Sequence, residues 1–130
     1  MRHPGVVLIA FVLVIGAIAL LVAMAVQETT PPPGAGLGER VYYRYCVDCH
    51  GRDGRGSWRA ALFLIRPGDL TDAARLGRDS DAYLRELIKQ GGAPLGKPGM
   101  PGFGMHLDDH QIAAVVEYVR SLSGRVGRSG

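Results

Sequence analysis

The sequence predicts an all-α domain behind one N-terminal transmembrane helix. Three stretches of the C-terminal part carry apolar residues at helical spacing, and none of it alternates as a β-strand does. Glycine- and proline-rich loops separate these stretches, and the 19 Gly and 8 Pro show no collagen-like period. A chain of 130 residues is long enough for one domain of ordinary size.

Residues 1–26 are predicted to form a membrane anchor. The 22 residues from 5 to 26 carry no charge, and as a helix they span roughly 33 Å, enough for a bilayer core of about 30 Å. Arg2 precedes this run and Glu28 follows it, which predicts an N-terminus inside the cytoplasm and a C-terminal domain outside the inner membrane, in the periplasm. The Ala-Met-Ala at 23–25 also fits a cleaved signal peptide, but the length of the run favours a retained helix.

Three further segments follow the anchor. Residues 27–36 contain three consecutive prolines and are predicted to form an extended linker, which at about 3.1 Å per residue reaches up to roughly 30 Å. Residues 37–123 form the predicted globular domain. Residues 124–130 are basic and glycine-containing, and we expect a flexible tail.

Three helices are expected in the globular domain. The first covers about 38–48 and runs into the two cysteines of the chain. The second begins near Ser80 and ends at Gly91. The third has Asp108 as its N-cap, in a capping-box pattern, and ends near Gly124. Three short helices make a thin core, so we expect a large apolar cofactor in the centre.

The segment Cys46-Val47-Asp48-Cys49-His50 has the C-x-x-C-H pattern of c-type haem attachment. Two thiols about one helical turn apart can add to the two vinyl groups on one edge of a porphyrin. The residue that follows then brings its imidazole to the iron. The pattern predicts one covalently attached haem c, with Cys46 and Cys49 as attachment residues and His50 as the proximal metal ligand.

Two other interpretations of the cysteines are weaker. A zinc site would combine them with His106 and His110, but 56 residues separate Cys49 from His106, far more than in a zinc finger. A thiol-disulfide pair normally lies in a strand-helix-strand context, which the sequence does not predict.

Across residues 37–123 the chain resembles the class I cytochrome c family, and more closely its bacterial membrane-anchored single-haem members. The resemblance rests on two motifs in a fixed order. They are Gly38-x-x-x-Tyr42-x-x-x-Cys46-x-x-Cys49-His50-Gly51 and Gly99-Met100-Pro101-Gly102-Phe103-Gly104, the second followed by the last helix.

The resemblance implies further roles. The family's distal iron ligand, the methionine of a Met-Pro pair, maps onto Met100. In the family, the first and last helices cross near a glycine and an aromatic residue. These positions match Gly38, Tyr42 and Tyr118 here.

The resemblance also implies a turn beside the proximal histidine. A proline turn before a haem-packing leucine maps onto Pro67 and Leu70, and in the family a backbone carbonyl of this turn orients the proximal imidazole. Pro67 lies one residue earlier than the commonest pattern, which leaves open the carbonyl that orients His50.

Other side chains keep alternative interpretations. Met105 is the nearest rival to Met100 as a ligand, while His106 and His110 suit exposed or capping positions. Trp58 and Phe63 are interpreted either as walls of the haem pocket or as hydrophobic cover for a long loop.

Basic residues near the attachment motif have two interpretations as well. They form either a docking patch for an acidic redox partner or a solvated surface: Arg44, Arg52, Arg55 and Arg59. The formal net charge of +3 is too small to indicate a nucleic-acid partner.

Haem iron with both axial positions filled by side chains has no open site for a substrate. We therefore expect an electron carrier and not an enzyme, serving a protein donor and acceptor as a tethered carrier or as a subunit of a respiratory or photosynthetic complex. The alternative is a five-coordinate haem protein that binds small gases or reduces peroxide.

Overall fold

The structure is a computed structural model that describes residues 4–126, and all of its regular secondary structure in that range is helical. The all-α prediction is confirmed. The elements in chain order are α1 Pro4–Thr29, α2 Leu37–Tyr45, α3 Val47–His50, α4 Trp58–Leu62, α5 Ala73–Leu76, α6 Asp81–Gln90, a 3-10 turn Ala93–Leu95 and α7 Asp109–Val126.

Helix α1 contains a candidate membrane span, Pro4–Val26, of 23 residues with a mean hydropathy of 3.3. None of this span is buried against the rest of the protein. The helix continues to Thr29, so the first residues expected in the linker are helical. The hydroxyls of Thr29 and Thr30 both donate to the carbonyl of Val26, 3.0 Å away, where the helix ends.

Helices α2 and α7 cross at a glycine, as the resemblance predicted. A Cβ atom at Gly38 would lie 2.0 Å from the carbonyl oxygen of Ala114, so a side chain here would push the two helices apart. The fully buried ring of Tyr42 packs against Tyr118, with ring centroids 5.1 Å apart. This crossing fixes one wall of the domain interior.

The ends of α6 and α7 follow the capping signals of the sequence. The Ser80 side chain accepts the backbone N–H of Tyr83, and Gly91, with φ of 83°, ends α6. Asp108 and Gln111 form the expected capping box, each side chain accepting the other's backbone N–H at 2.8 and 3.1 Å. Helix α7 reaches Val126. Part of the expected flexible tail is therefore helical, and residues 127–130 lie outside the described range.

The first predicted helix, 38–48, differs from the structure. It is interrupted at Cys46, whose φ of −115° and ψ of −31° separate α2 from α3. The short elements α4 and α5 and the 3-10 turn were not expected, because three to five residues are too few to show a period. The buried core unites α2, α3, α5, α6 and α7, through Val41, Tyr42, Tyr43, Val47, Leu76, Leu84, Ile88, Leu107, Ile112, Val115, Val116, Val119 and Leu122.

Candidate haem-binding site

A cavity of about 520 Å³ lies in the centre of the helical domain. Its volume falls in the range of cofactor pockets. All six residues that the sequence assigned to the site line this one cavity: Cys46, Cys49, His50, Pro67, Leu70 and Met100. The two motifs, which are about fifty residues apart in the chain, therefore face the same space.

The walls of the cavity are mostly apolar. They come from α2, α5, α6, α7 and the loops between them, through Tyr45, Ile65, Leu76, Leu84, Leu87, Ile88, Phe103, Val115, Val116 and Val119. The helical core is thus built around a space that a large apolar group would fill. The residues present fit a porphyrin: two thiols at one place in the wall, an imidazole beside them, and a thioether among apolar side chains.

The attachment segment is held in place by a tight backbone loop. The carbonyls of Cys49 and His50 accept the N–H groups of Ser57 and Gly56 at 2.9 and 2.8 Å. Gly51 has a φ of 75°, and a Cβ atom there would lie 2.6 Å from the carbonyl oxygen of Gly56, so the loop requires glycine at this position.

A buried tyrosine hydroxyl completes this loop. Tyr42 Oη donates to the carbonyl of Gly51 at 2.7 Å, and burial raises the pKa of Tyr42 well above its usual value, so the hydroxyl stays a proton donor. The sequence indicated only a packing role for Tyr42. Its spacing from the C-x-x-C-H-G motif, one helical turn before Cys46, was the available signal for a contact with Gly51.

The electrostatic environment keeps both thiols protonated. Burial, and then the neighbouring Cys49, raises the pKa of Cys46 to about 12. Burial and then the Asp48 carboxylate raise the pKa of Cys49. Disulfide exchange uses the thiolate, which these shifts disfavour.

The geometry also weakens the zinc interpretation. His106 and His110 are not among the residues that line the cavity with the cysteines. Within residues 4–126, no three His, Cys, Asp or Glu side chains come together in a group suited to a metal ion.

His50 presents a neutral imidazole. Burial lowers the pKa of His50, and the nearby backbone of Gly68 raises it by a smaller amount. Neutral imidazole is the form that binds iron. Its Nδ1 is buried and has no hydrogen-bond partner among the described residues. An imidazole bound to a metal through one nitrogen usually donates from the other, and the Pro67–Gly68 turn is the backbone next to this ring.

Met100 lies in a loop that is fastened to the end of α6. The carbonyl of Met100 accepts the N–H of Gly92 at 2.8 Å, and its own N–H donates to Lys97 at 3.1 Å. Three residues after Met100, the backbone N–H of Phe103 donates to the carbonyl of Ile88 at 2.8 Å. These bonds fix the backbone of Met100 at the wall of the cavity.

Close approach of the backbone in this loop depends on glycine. A Cβ atom at Gly92 would lie 1.9 Å from the carbonyl oxygen of Lys97, and one at Gly102 would lie 2.8 Å from Gln90. The rival residue Met105 is 95% exposed and does not line the cavity. The structure therefore brings Met100, and not Met105, to the site.

The remaining candidates are on the surface. Trp58 and Phe63 are 55% and 76% exposed and do not line the cavity. The interpretation of these two residues as walls of the haem pocket is therefore wrong. Among the arginines, Arg44, Arg52 and Arg55 are exposed, whereas Arg59 pairs with Asp48 at 2.8 Å.

The helix crossing, the cavity and the long apolar helix α1 together define a membrane-anchored class I c-type cytochrome. Residues 34–119 match the family model described as cytochrome c oxidase, cbb3-type, subunit III, and the chain belongs to this family. It carries a covalently bound haem c and is an electron-transfer cytochrome.

Similar proteins agree with this assignment. The chain is 36% identical to the cbb3-type cytochrome c oxidase subunit FixP of Bradyrhizobium diazoefficiens over 69% of its length, and 30% identical to the subunit CcoP of Azospirillum brasilense over 85%. It is 31% identical to the gluconate 2-dehydrogenase cytochrome c subunit of Pantoea cypripedii over 67%.

The chain corresponds to part of these relatives. It covers 28%, 36% and 20% of their respective lengths. Among solved structures, the KustC0563 c-type cytochrome is similar, with a TM-score of 0.55 and 27% identity over 65% of this chain and 95% of that one.

Proposed function

We propose that this chain passes single electrons between a protein donor and a protein acceptor at the outer face of the cytoplasmic membrane, as a subunit of a larger redox complex. The observation that carries the proposal is the convergence of Cys46, Cys49, His50 and Met100 on one apolar cavity. The haem, when bound, supplies an Fe(II)/Fe(III) couple.

Each residue of the site has a distinct role in this proposal. Cys46 and Cys49 would hold the porphyrin through thioether bonds, and His50 would be one ligand of the iron. Met100 would be the other, and a soft thioether favours the reduced state more than a second imidazole does. Pro67 and Leu70 form the wall beside His50.

The fold keeps these groups in position during electron transfer. Buried side chains of α6 and α7 would keep water from the haem, and the hydrogen bonds of the Met100 loop fix the backbone that carries the thioether. An iron held by both His50 and Met100 would have no position open for a substrate.

The names of the relatives support the subunit form of the proposal. Two are described as oxidase subunits and one as a dehydrogenase subunit. Helix α1 also carries small residues on one face, Gly16, Ala19 and Ala23, which suit close contact with another helix. Extraction in a mild detergent should therefore co-purify other redox proteins, whereas a free tethered carrier would be isolated alone.

Replacement of the distal ligand tests the site. Met100→Ala should abolish the methionine–iron absorption band, lower the reduction potential and allow carbon monoxide to bind the reduced protein. The matched control is Met105→Ala, which removes an exposed methionine five residues away and should leave all three unchanged. An unaltered spectrum in Met100→Ala would refute the ligand assignment.

A further inference from the structure

The haem domain carries an apolar surface patch that electron transfer within the cavity does not use. We call it the α4 patch, and it consists of Trp58, Leu62 and Phe63, which are 55%, 70% and 76% exposed. Trp58 and Leu62 are four residues apart in one helix and share a face. None of the three is among the residues that line the haem cavity, so bound haem would not cover them.

Arg59 holds this patch beside the membrane-spanning helix. Arg59, the residue after Trp58, donates from Nη2 to the carbonyl of Ala25 at 2.7 Å. Ala25 is next to the last residue of the candidate span, Val26. The other guanidinium nitrogen, Nη1, pairs with Asp48 at 2.8 Å, between the two cysteines of the attachment motif. The patch, the attachment motif and the end of the span are therefore neighbours.

We propose that the α4 patch inserts into the lipid interface of the same membrane that α1 crosses, so that the haem domain lies on the bilayer surface. The bilayer boundary is the surface closest to this patch, because Arg59 ties α4 to the last turn of the span. Tryptophan favours the headgroup level of a bilayer, and phenylalanine and leucine favour the adjacent acyl region. Arginine beside them suits the phosphate level.

The proposal changes the expected distance between the haem domain and the membrane. A fully extended linker would hold the domain up to roughly 30 Å from the membrane. A domain docked through the α4 patch instead keeps the attachment motif at the membrane surface, because Asp48 and Arg59 join that motif to α4. This position favours electron exchange with partners that are themselves embedded in the membrane.

The test measures the depth of Phe63 in the bilayer. In the full-length haem-loaded protein both native thiols are bonded to haem, so Phe63→Cys supplies one free thiol for a nitroxide label. The labelled protein, with its full length verified by mass, is reconstituted in phosphatidylcholine vesicles without any other protein. The haem is reduced, and the reductant is removed before labelling. Collision of the label with oxygen, which concentrates in lipid, is then compared with collision with a water-soluble nickel chelate.

The matched control is Met105→Cys, since Met105 is also apolar and is 95% exposed on another loop. We expect the nickel collision rate at position 63 to be at least several-fold lower than at 105, and the oxygen rate to be higher. Equal, water-like rates at the two positions would overturn the proposal. Low rates with both reagents at 63 would also overturn it, because they indicate burial against a second copy of the chain.

A second variant separates lipid insertion from a local effect of the label. Adding Trp58→Ser and Leu62→Ser to the Phe63→Cys protein should raise the nickel collision rate at 63 toward the value at 105. Retention of the low rate would contradict insertion of the patch. The haem spectrum should be unchanged in every variant, so the result is independent of the Met100→Ala test of the proposed function.

Discussion

Two segments of the haem domain differ in how they are held and in the direction that their apolar side chains face. The Met100 loop, residues 91–104, is fastened to α6 by backbone hydrogen bonds and brings Met100 and Phe103 to the cavity. The segment 58–63 points Trp58, Leu62 and Phe63 outward and is joined to the spanning helix through Arg59. Backbone hydrogen bonds and close-packed glycines fix the loop that carries the candidate iron ligand, while the helical segment 58–63 presents an apolar surface.

The largest expected effect concerns the close contact within the Met100 loop. Gly92→Ala places a Cβ atom 1.9 Å from the carbonyl oxygen of Lys97, so the loop must shift. Overpacking of this kind costs about 2 kcal/mol. We expect a lower denaturant midpoint and a weakened methionine–iron band, measured by absorption during urea unfolding.

The control for this variant lies in the same loop. At Gly99 a Cβ atom would make an ordinary contact, 3.6 Å from the Ile65 side chain, although Gly99 is next to Met100. Gly99→Ala should therefore keep the band and nearly all of the stability. Equal effects of the two variants would show that the backbone contact at Gly92 does not hold the ligand.

A smaller effect is expected on the attachment side of the cavity. Tyr42→Phe removes the buried hydrogen bond to the carbonyl of Gly51 and leaves that carbonyl without its donor. The free energy of unfolding should fall by about 1–2 kcal/mol. Thermal or urea unfolding, followed by circular dichroism, measures the loss.

The neighbouring tyrosine supplies the comparison. The Tyr43 hydroxyl accepts a longer, partly exposed hydrogen bond of 3.3 Å from Arg52. Tyr43→Phe should cost at most about 0.5 kcal/mol, because water replaces the lost partner. A cost as large as that of Tyr42→Phe would contradict the importance of the buried bond at Gly51.

The smallest effect is expected in the outward-facing segment. Arg59→Ala removes the partly exposed ion pair with Asp48 and the hydrogen bond to the carbonyl of Ala25. Exposed pairs contribute about 0–1 kcal/mol, and the bond to Ala25 lies outside the haem core, so the unfolding midpoint of the haem domain should change little and the haem spectrum should stay the same. A loss above about 2 kcal/mol would mean that this segment supports the haem core and not only its surface.

Sequence reasoning predicted the site better than the elements around it. The C-x-x-C-H pattern and the Met-Pro motif are local and chemically specific, and the structure brings them to one cavity. The helix caps at Ser80 and Asp108 were equally predictable from the sequence, because a capping side chain accepts a backbone N–H no more than three residues away.

The parts that the sequence did not reveal depend on contacts between distant segments. No glycine or proline marks the interruption between α2 and α3 at Cys46. The hydrogen bond from Arg59 to the carbonyl of Ala25 joins residues 34 positions apart. The exposure of Trp58 and Phe63 was also hidden, because residue type alone does not say which apolar side chain faces outward.

The most direct test of the central claim is the intact mass of the denatured protein, purified from native membranes. Haem held by thioether bonds to Cys46 and Cys49 stays attached when the protein unfolds. The account predicts the mass of the polypeptide plus one haem. A polypeptide mass without haem would contradict the claim that the cavity holds a covalently attached haem c.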